Sequence, residues 1–82
     1  MAFGDLNNSI VVQGWKFKLS KDDNGNMSYD CRGDVYYDDY GDEQVEPSLE
    51  RAAFKLRDNL IAQGYKADIA WSEKGWIGVN VN

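Results

Sequence analysis

The chain has 82 residues, one cysteine, no histidine and a formal charge of −5. That length holds a single small domain, near the lower limit for a self-sufficient core, while 43% apolar and 13% aromatic residues are too many for a disordered chain. Without histidine the chain lacks the side chain best suited to proton transfer near neutral pH, and a lone Cys31 excludes an internal disulfide.

The first residues, Met-Ala-Phe-Gly-Asp-Leu-Asn-Asn, have no basic region and no apolar core, so they do not read as a signal peptide. Residues 1–8 read as a frayed lead-in to one domain spanning 1–82. No apolar run approaches the roughly 18 residues that span a bilayer. With an unpaired cysteine, this makes a reducing cytoplasm the expected location and gives no reason to expect a membrane partner.

The first strand is expected from about Ser9 to Ser20, where Trp15, Phe17 and Leu19 alternate with Lys16 and Lys18. The second runs from about Met27 to Asp38. There Met27, Tyr29, Cys31, Val35 and Tyr37 alternate with Ser28, Asp30, Arg32, Asp34 and Tyr36. A two-residue Asn24-Gly25 turn would set Lys18 against Cys31 and point the two apolar rows apart. A three-residue loop, Asp23-Asn24-Gly25 with Gly25 left-handed, sets Leu19 against Tyr29, Phe17 against Cys31 and Lys18 against Asp30, with Trp15 over Gly33.

A helix follows, from about Pro47 to Gln63. Pro47 suits the first helical position, and Glu46 and Glu50 sit at the positive end of the dipole. Leu49, Ala52, Ala53, Leu56 and Leu60 form its packing stripe, with Phe54 and Ile61 on the flank. Arg51, Lys55 and Arg57 face solvent, and Gly64 ends the helix. Two more strands follow, with Tyr65, Ala67, Ile69 and Trp71 in one apolar row and Ile77, Val79 and Val81 in the other. The same parity reasoning gives a three-residue loop, Glu73-Lys74-Gly75, and sets Trp71 opposite Ile77. The fold class is therefore α+β: a ββαββ domain whose four-stranded, largely antiparallel sheet has one helix packed on one face. The other face is left open and is expected to show Ile10, Val12, Tyr36, Ala70 and Trp76. No internal repeat stands out.

Charge is distributed far less evenly than hydropathy. From Asp30 to Glu50 eight carboxylates meet a single base, Arg32, for a net −7, and four of the five tyrosines fall in or just before that stretch. A field so concentrated speaks of a positively charged partner. Asp30, Asp34 and Asp38 are expected on the solvent side of one strand, spaced about 13 Å apart at roughly 3.3 Å per residue. Asp39, Asp42 and Glu43 continue the acidic surface towards the helix. Tyr36, Tyr37 and Tyr40 supply the apolar, hydrogen-bonding anchors common at interfaces, and Trp76 is a further contact anchor on the open face.

Enzymatic chemistry finds little support. Cys31 falls on the core parity and has no histidine to activate it. Paired carboxylates would need a cleft that a one-helix domain of this size rarely encloses. No phosphate-binding glycine loop is present. Asp22-Asp23-Asn24-Gly25-Asn26 has the composition of a calcium loop, but its glycine comes too early and no glutamate closes it. No cofactor or metal is expected, and direct binding of nucleic acid runs against the charge.

In overall character the Asp30–Glu50 run with its tyrosines, on a one-helix sheet, resembles the small acidic inhibitors encoded by phages and mobile elements, of the anti-CRISPR and anti-restriction type. That resemblance covers about a quarter of the chain and implies a cytoplasmic, non-enzymatic inhibitor. It would bind a basic, nucleic-acid-handling host defence protein and block it sterically or electrostatically, the latter as a nucleic-acid mimic. The alternative from the residues is a small structural or regulatory domain that self-associates, as a homodimer, through a sheet edge or the Trp76 face.

Overall fold

The computed structural model describes residues 6–34, 36–73 and 75–82, including all their side chains except those of Tyr36, Glu43, Trp71, Ser72 and Glu73. Alternating apolar and charged residues build the first two hairpins of an antiparallel sheet: β1 (Ser9–Val12), β2 (Trp15–Lys21) and β3 (Met27–Arg32). A short pair follows, β4 (Tyr36–Tyr37) and β5 (Glu43–Gln44), then helix α1 (Pro47–Ala62), β6 (Ala67–Glu73) and β7 (Trp76–Val81). The main sheet has five strands in the order β1-β2-β3-β7-β6, and β4 pairs with β5 outside it. The domain is thus α+β with one helix on one face of an antiparallel sheet, and that sheet has one strand more than the sequence led us to expect.

The extra strand comes from the first predicted one. Val12 pairs with Trp15, which leaves a two-residue turn, and Gln13 (φ 51°) and Gly14 (φ 84°) both have positive φ. This is the turn geometry that matches strand twist in tight hairpins. Glutamine is unusual in its first position, where asparagine, aspartate or glycine is the common signal. The turn also reverses side-chain parity. Val12 is therefore buried and Ile10 packs against the core, where both were expected on the open face.

The loop between β2 and β3 is the three-residue one. Leu19 pairs with Tyr29 and Lys18 with Asp30, and Gly25 has φ 85°. Trp15 packs where predicted: a Cβ added to Gly33 would sit 3.4 Å from its ring and 3.1 Å from Leu49.

The hairpin of β6 and β7 departs from expectation. Ile69 pairs with Val79 and Ala67 with Val81, but a bulge at Ala70 shifts the outer half, so that Trp71 pairs with Gly78 and Glu73 with Trp76. Parity had placed the odd residue in a Glu73-Lys74-Gly75 loop, whereas the strand takes it up as the bulge. Lys74 itself lies outside the described residues.

The buried stripe of α1 is Leu49, Ala52, Ala53, Leu56 and Leu60, packed on Phe17, Tyr29, Ile77, Val79 and Val81. Pro47 stands at the helix start after Glu46. The helix ends in a Schellman motif, Tyr65 N–H on Leu60 C=O at 3.1 Å and Gly64 N–H on Ile61 C=O at 3.0 Å. Phe54 and Ile61 are exposed on the outer face instead of flanking the core. The lead-in is tied down from residue 6 onward: Leu6 packs on the core, Asn7 C=O accepts the Tyr29 hydroxyl at 2.6 Å, and Asn8 C=O accepts Leu19 N–H at 2.8 Å. Residues 1–5 of the expected frayed segment lie outside the described residues.

A candidate acidic interface

The strand predicted through Asp38 stops at Arg32. Gly33 donates its N–H to Gly75 C=O at 3.0 Å, and from there the chain leaves the sheet. Trp15, Arg32, Gly33 and Asp34 line an open groove of about 610 Å³ at this departure point. The single row of Asp30, Asp34 and Asp38 is therefore broken, because a row needs uninterrupted strand geometry. Val35, on the predicted core parity, lies outside the described residues.

Asp30 stays with the sheet. Its carboxylate accepts the Ser20 hydroxyl at 2.7 Å and lies across Gly78, where an added Cβ would come within 2.8 Å of it. It belongs to the open face with Lys16, Lys18 and Arg32, and does not join the other acids. Trp76 is on this face too, 42% exposed and paired with Arg32, and Ala70 keeps its expected place there beside Gly78.

The remaining acids lie on a separate hairpin. Tyr37 pairs with Glu43 and Tyr36 with Gln44, and the tip runs from Asp38 to Asp42. Asp38 N–H reaches Asp42 C=O and Gly41 N–H reaches Asp38 C=O, both at 3.0 Å. The Asp38 carboxylate points back into its own loop, accepting the N–H of Tyr40 at 2.9 Å and of Asp42 at 3.0 Å, with the Gln44 amide at 3.4 Å. Asp38 thus shapes the tip, a role that its expected place on the acidic surface did not include. Its recurrence as Asp-Asp-x-Gly at 22–25 and 38–41 is the signal that could have shown this.

With the loop built by Asp38, the side chains around it are free to face outward. Tyr40 is 91% exposed and Tyr37 62%, and Asp34, Asp39 and Asp42 are exposed. Among the described residues the one ion pair is Arg57–Asp58 on the helix, so none of the described carboxylates of the acidic segment is paired with a base. The hairpin re-enters the body through buried Val45, and Glu46 then leads into α1, its carboxylate accepting the Ser48 hydroxyl at 3.1 Å. The side chains of Tyr36 and Glu43, two further candidates, are outside the described set.

Burial acts on two titratable side chains of the core. Cys31 is buried beneath the helix, and burial pushes its thiol pKa up, away from the reactive thiolate. Burial likewise raises the Tyr29 phenol, with neighbouring Tyr65 adding to the effect. Among the described residues no three histidine, cysteine or acidic side chains converge as a metal site, and no helix is long and apolar enough to cross a membrane. What the geometry offers instead is an exposed hairpin of acids and tyrosines. No protein-family model, curated protein or solved structure matches the chain.

Proposed function

We propose that the chain is a non-enzymatic inhibitor that lays its acidic hairpin into a basic, nucleic-acid-binding groove of a defence protein, in the manner of anti-CRISPR or anti-restriction proteins. One observation carries this reading: unpaired carboxylates and the exposed Tyr37 and Tyr40 share a hairpin outside the main sheet. Asp34, Asp39 and Asp42 take the places of phosphates, and Glu43 extends them along β5. Tyr37 and Tyr40 bury against the target as anchors, with Tyr36 beside them in the ladder. Asp38 holds the tip in shape.

The test is competition. Proteins captured by the immobilised chain are assayed for nucleic-acid binding with and without added chain. The chain should displace the nucleic acid, less effectively as salt rises. Asp39→Asn with Asp42→Asn, which leaves Asp38 intact, should slow association and flatten the salt dependence. If the neutralised chain binds and inhibits like the parent, electrostatic mimicry is the wrong mechanism.

A further inference from the structure

The outer face of α1 carries two large apolar side chains on either side of an ion pair. Phe54 is 38% exposed and Ile61 50%. Between them Arg57 lies with its guanidinium 5.0 Å from the Phe54 ring centre, and its Nε and Nη2 donate to Asp58 Oδ1 at 3.2 and 3.0 Å. Residues spaced i, i+3, i+4 and i+7 share one stripe of a helix, so these four side chains form a band about 10 Å long.

The band reads the same in both directions: apolar, charged pair, apolar. A two-fold axis passing between residues 57 and 58 would set Phe54 of one copy against Ile61 of another, and Arg57 against Asp58. We propose that α1 pairs antiparallel with α1 of a second copy of this chain about that axis, each Arg57 bonding the other copy's Asp58. A two-fold interface must be complementary to itself, and base over acid, acid over base meets that condition.

Two further features fit this orientation. The last turn of α1 contains no base, and the axis carries Arg51 of one copy to the carbonyl end of the other helix, where the dipole favours a cation. The same axis places the two Glu46 caps about 35 Å apart at 1.5 Å per residue, several Debye lengths at physiological salt. A parallel pair would press the two acidic hairpins together. The antiparallel pair keeps them at opposite ends, both free to bind.

One helix face is a small interface, so association belongs at about 10 μM to 1 mM. Sedimentation equilibrium over that range should show the mass rising from 9.3 kDa towards twice that value. Arg57→Asp and Asp58→Arg should each be monomeric, because each sets like charges against each other across the axis. Mixed in equal amounts they should associate again, acidic stripe on basic stripe, and recovery would show that both variants are folded. Ile61→Asp, at a solvent-exposed position, should also be monomeric. The proposal is overturned by a parent that stays at 9.3 kDa, by Arg57→Asp or Asp58→Arg self-associating like the parent, by a monomeric mixture, or by an Ile61→Asp dimer. None of these changes touches the acidic hairpin, so target binding is read independently.

Discussion

The loop between β2 and β3 and the loop between β4 and β5 follow the same backbone hydrogen-bond plan. Each opens with Asp-Asp, and each first carboxylate accepts two backbone N–H groups, Asp22 from Asn24 and Asn26 at 2.9 Å and Asp38 from Tyr40 and Asp42 at 2.9 and 3.0 Å. Each has a left-handed glycine at the same step, Gly25 at φ 85° and Gly41 at φ 82°. Their settings differ. The first loop ends long strands of the main sheet, and Asp22 and Asn26 border a polar groove with Asp68, Asn80 and Asn82. The second joins two-residue strands outside that sheet, with Tyr40 at its apex in place of Asn24. The turn chemistry is enough to fix the backbone, and the apex side chain is left exposed.

The largest expected effect comes from erasing that difference at the apex. Tyr40→Asn gives the second loop the apex of the first. A side chain 91% exposed adds little to the core, so the melting temperature should hold. Binding to the target should fall by at least about 30-fold, the loss of a hot-spot residue worth roughly 2 kcal/mol. Titration calorimetry with the captured target measures this, and unchanged affinity would remove Tyr40 from the contact surface.

Next in size is a matched pair of backbone changes. An added methyl meets nothing within 4 Å at Gly41 and only the Lys21 Cε at 4.0 Å at Gly25, so each alanine tests left-handed strain alone. Gly25→Ala should cost about 1–2 kcal/mol, lowering the melting temperature by at least about 4–8 °C. Gly41→Ala carries the same local strain but should move the global midpoint by less than about 2 °C, because its hairpin can open while the sheet stays folded. Faster amide exchange at Tyr40–Asp42 would record that local opening. Equal midpoint losses in the two variants would mean that hairpin and sheet unfold as one unit.

The smallest effect is electrostatic. The Asn26 backbone N–H, first, and the Asn26 side-chain amide hold the Asp22 carboxyl below its ordinary value of 3.8. A carboxyl depressed on folding stabilises the native state fully above its unfolded value, and that contribution disappears as pH falls through the native one. The amide signals of Asn24 and Asn26 should therefore stay constant from neutral pH down to about 4 and shift below it. Asp22→Asn should flatten that response, and a midpoint above 3.8 would show that the hydrogen bonds do not favour the charged form.

The legible parts of this chain are those where one periodicity and one turn rule act together. The stripe Leu49–Leu60 emerges because helical spacing has a single solution, and the Leu19–Tyr29 register because only one loop length keeps both apolar rows inside. Parity fails wherever an extra or missing residue is absorbed out of sight. Gln13-Gly14 makes a turn without the usual first residue and moves Val12 to the core. Ala70 takes as a bulge the residue assigned to the last loop. At the candidate site, composition showed where the charge lies but not how it is supported. Asp38 is as acidic as Asp39 on paper, and only the inward hydrogen bonds separate a loop-builder from a side chain left exposed. Asp30 is separated from the hairpin by the departure at Gly33, which no alternation pattern announces.

The irregular pairing around Ala70 has a consequence of its own. β6 borders the five-stranded sheet, and a border strand with evenly spaced free N–H and C=O groups would template the addition of foreign chains. An extra residue midway along β6 twists that border and breaks the spacing, while the opposite border, β1, is only four residues long. Fibril growth along either side has no long, flat strip to copy, so the folded protein should resist cross-β seeding even at high concentration.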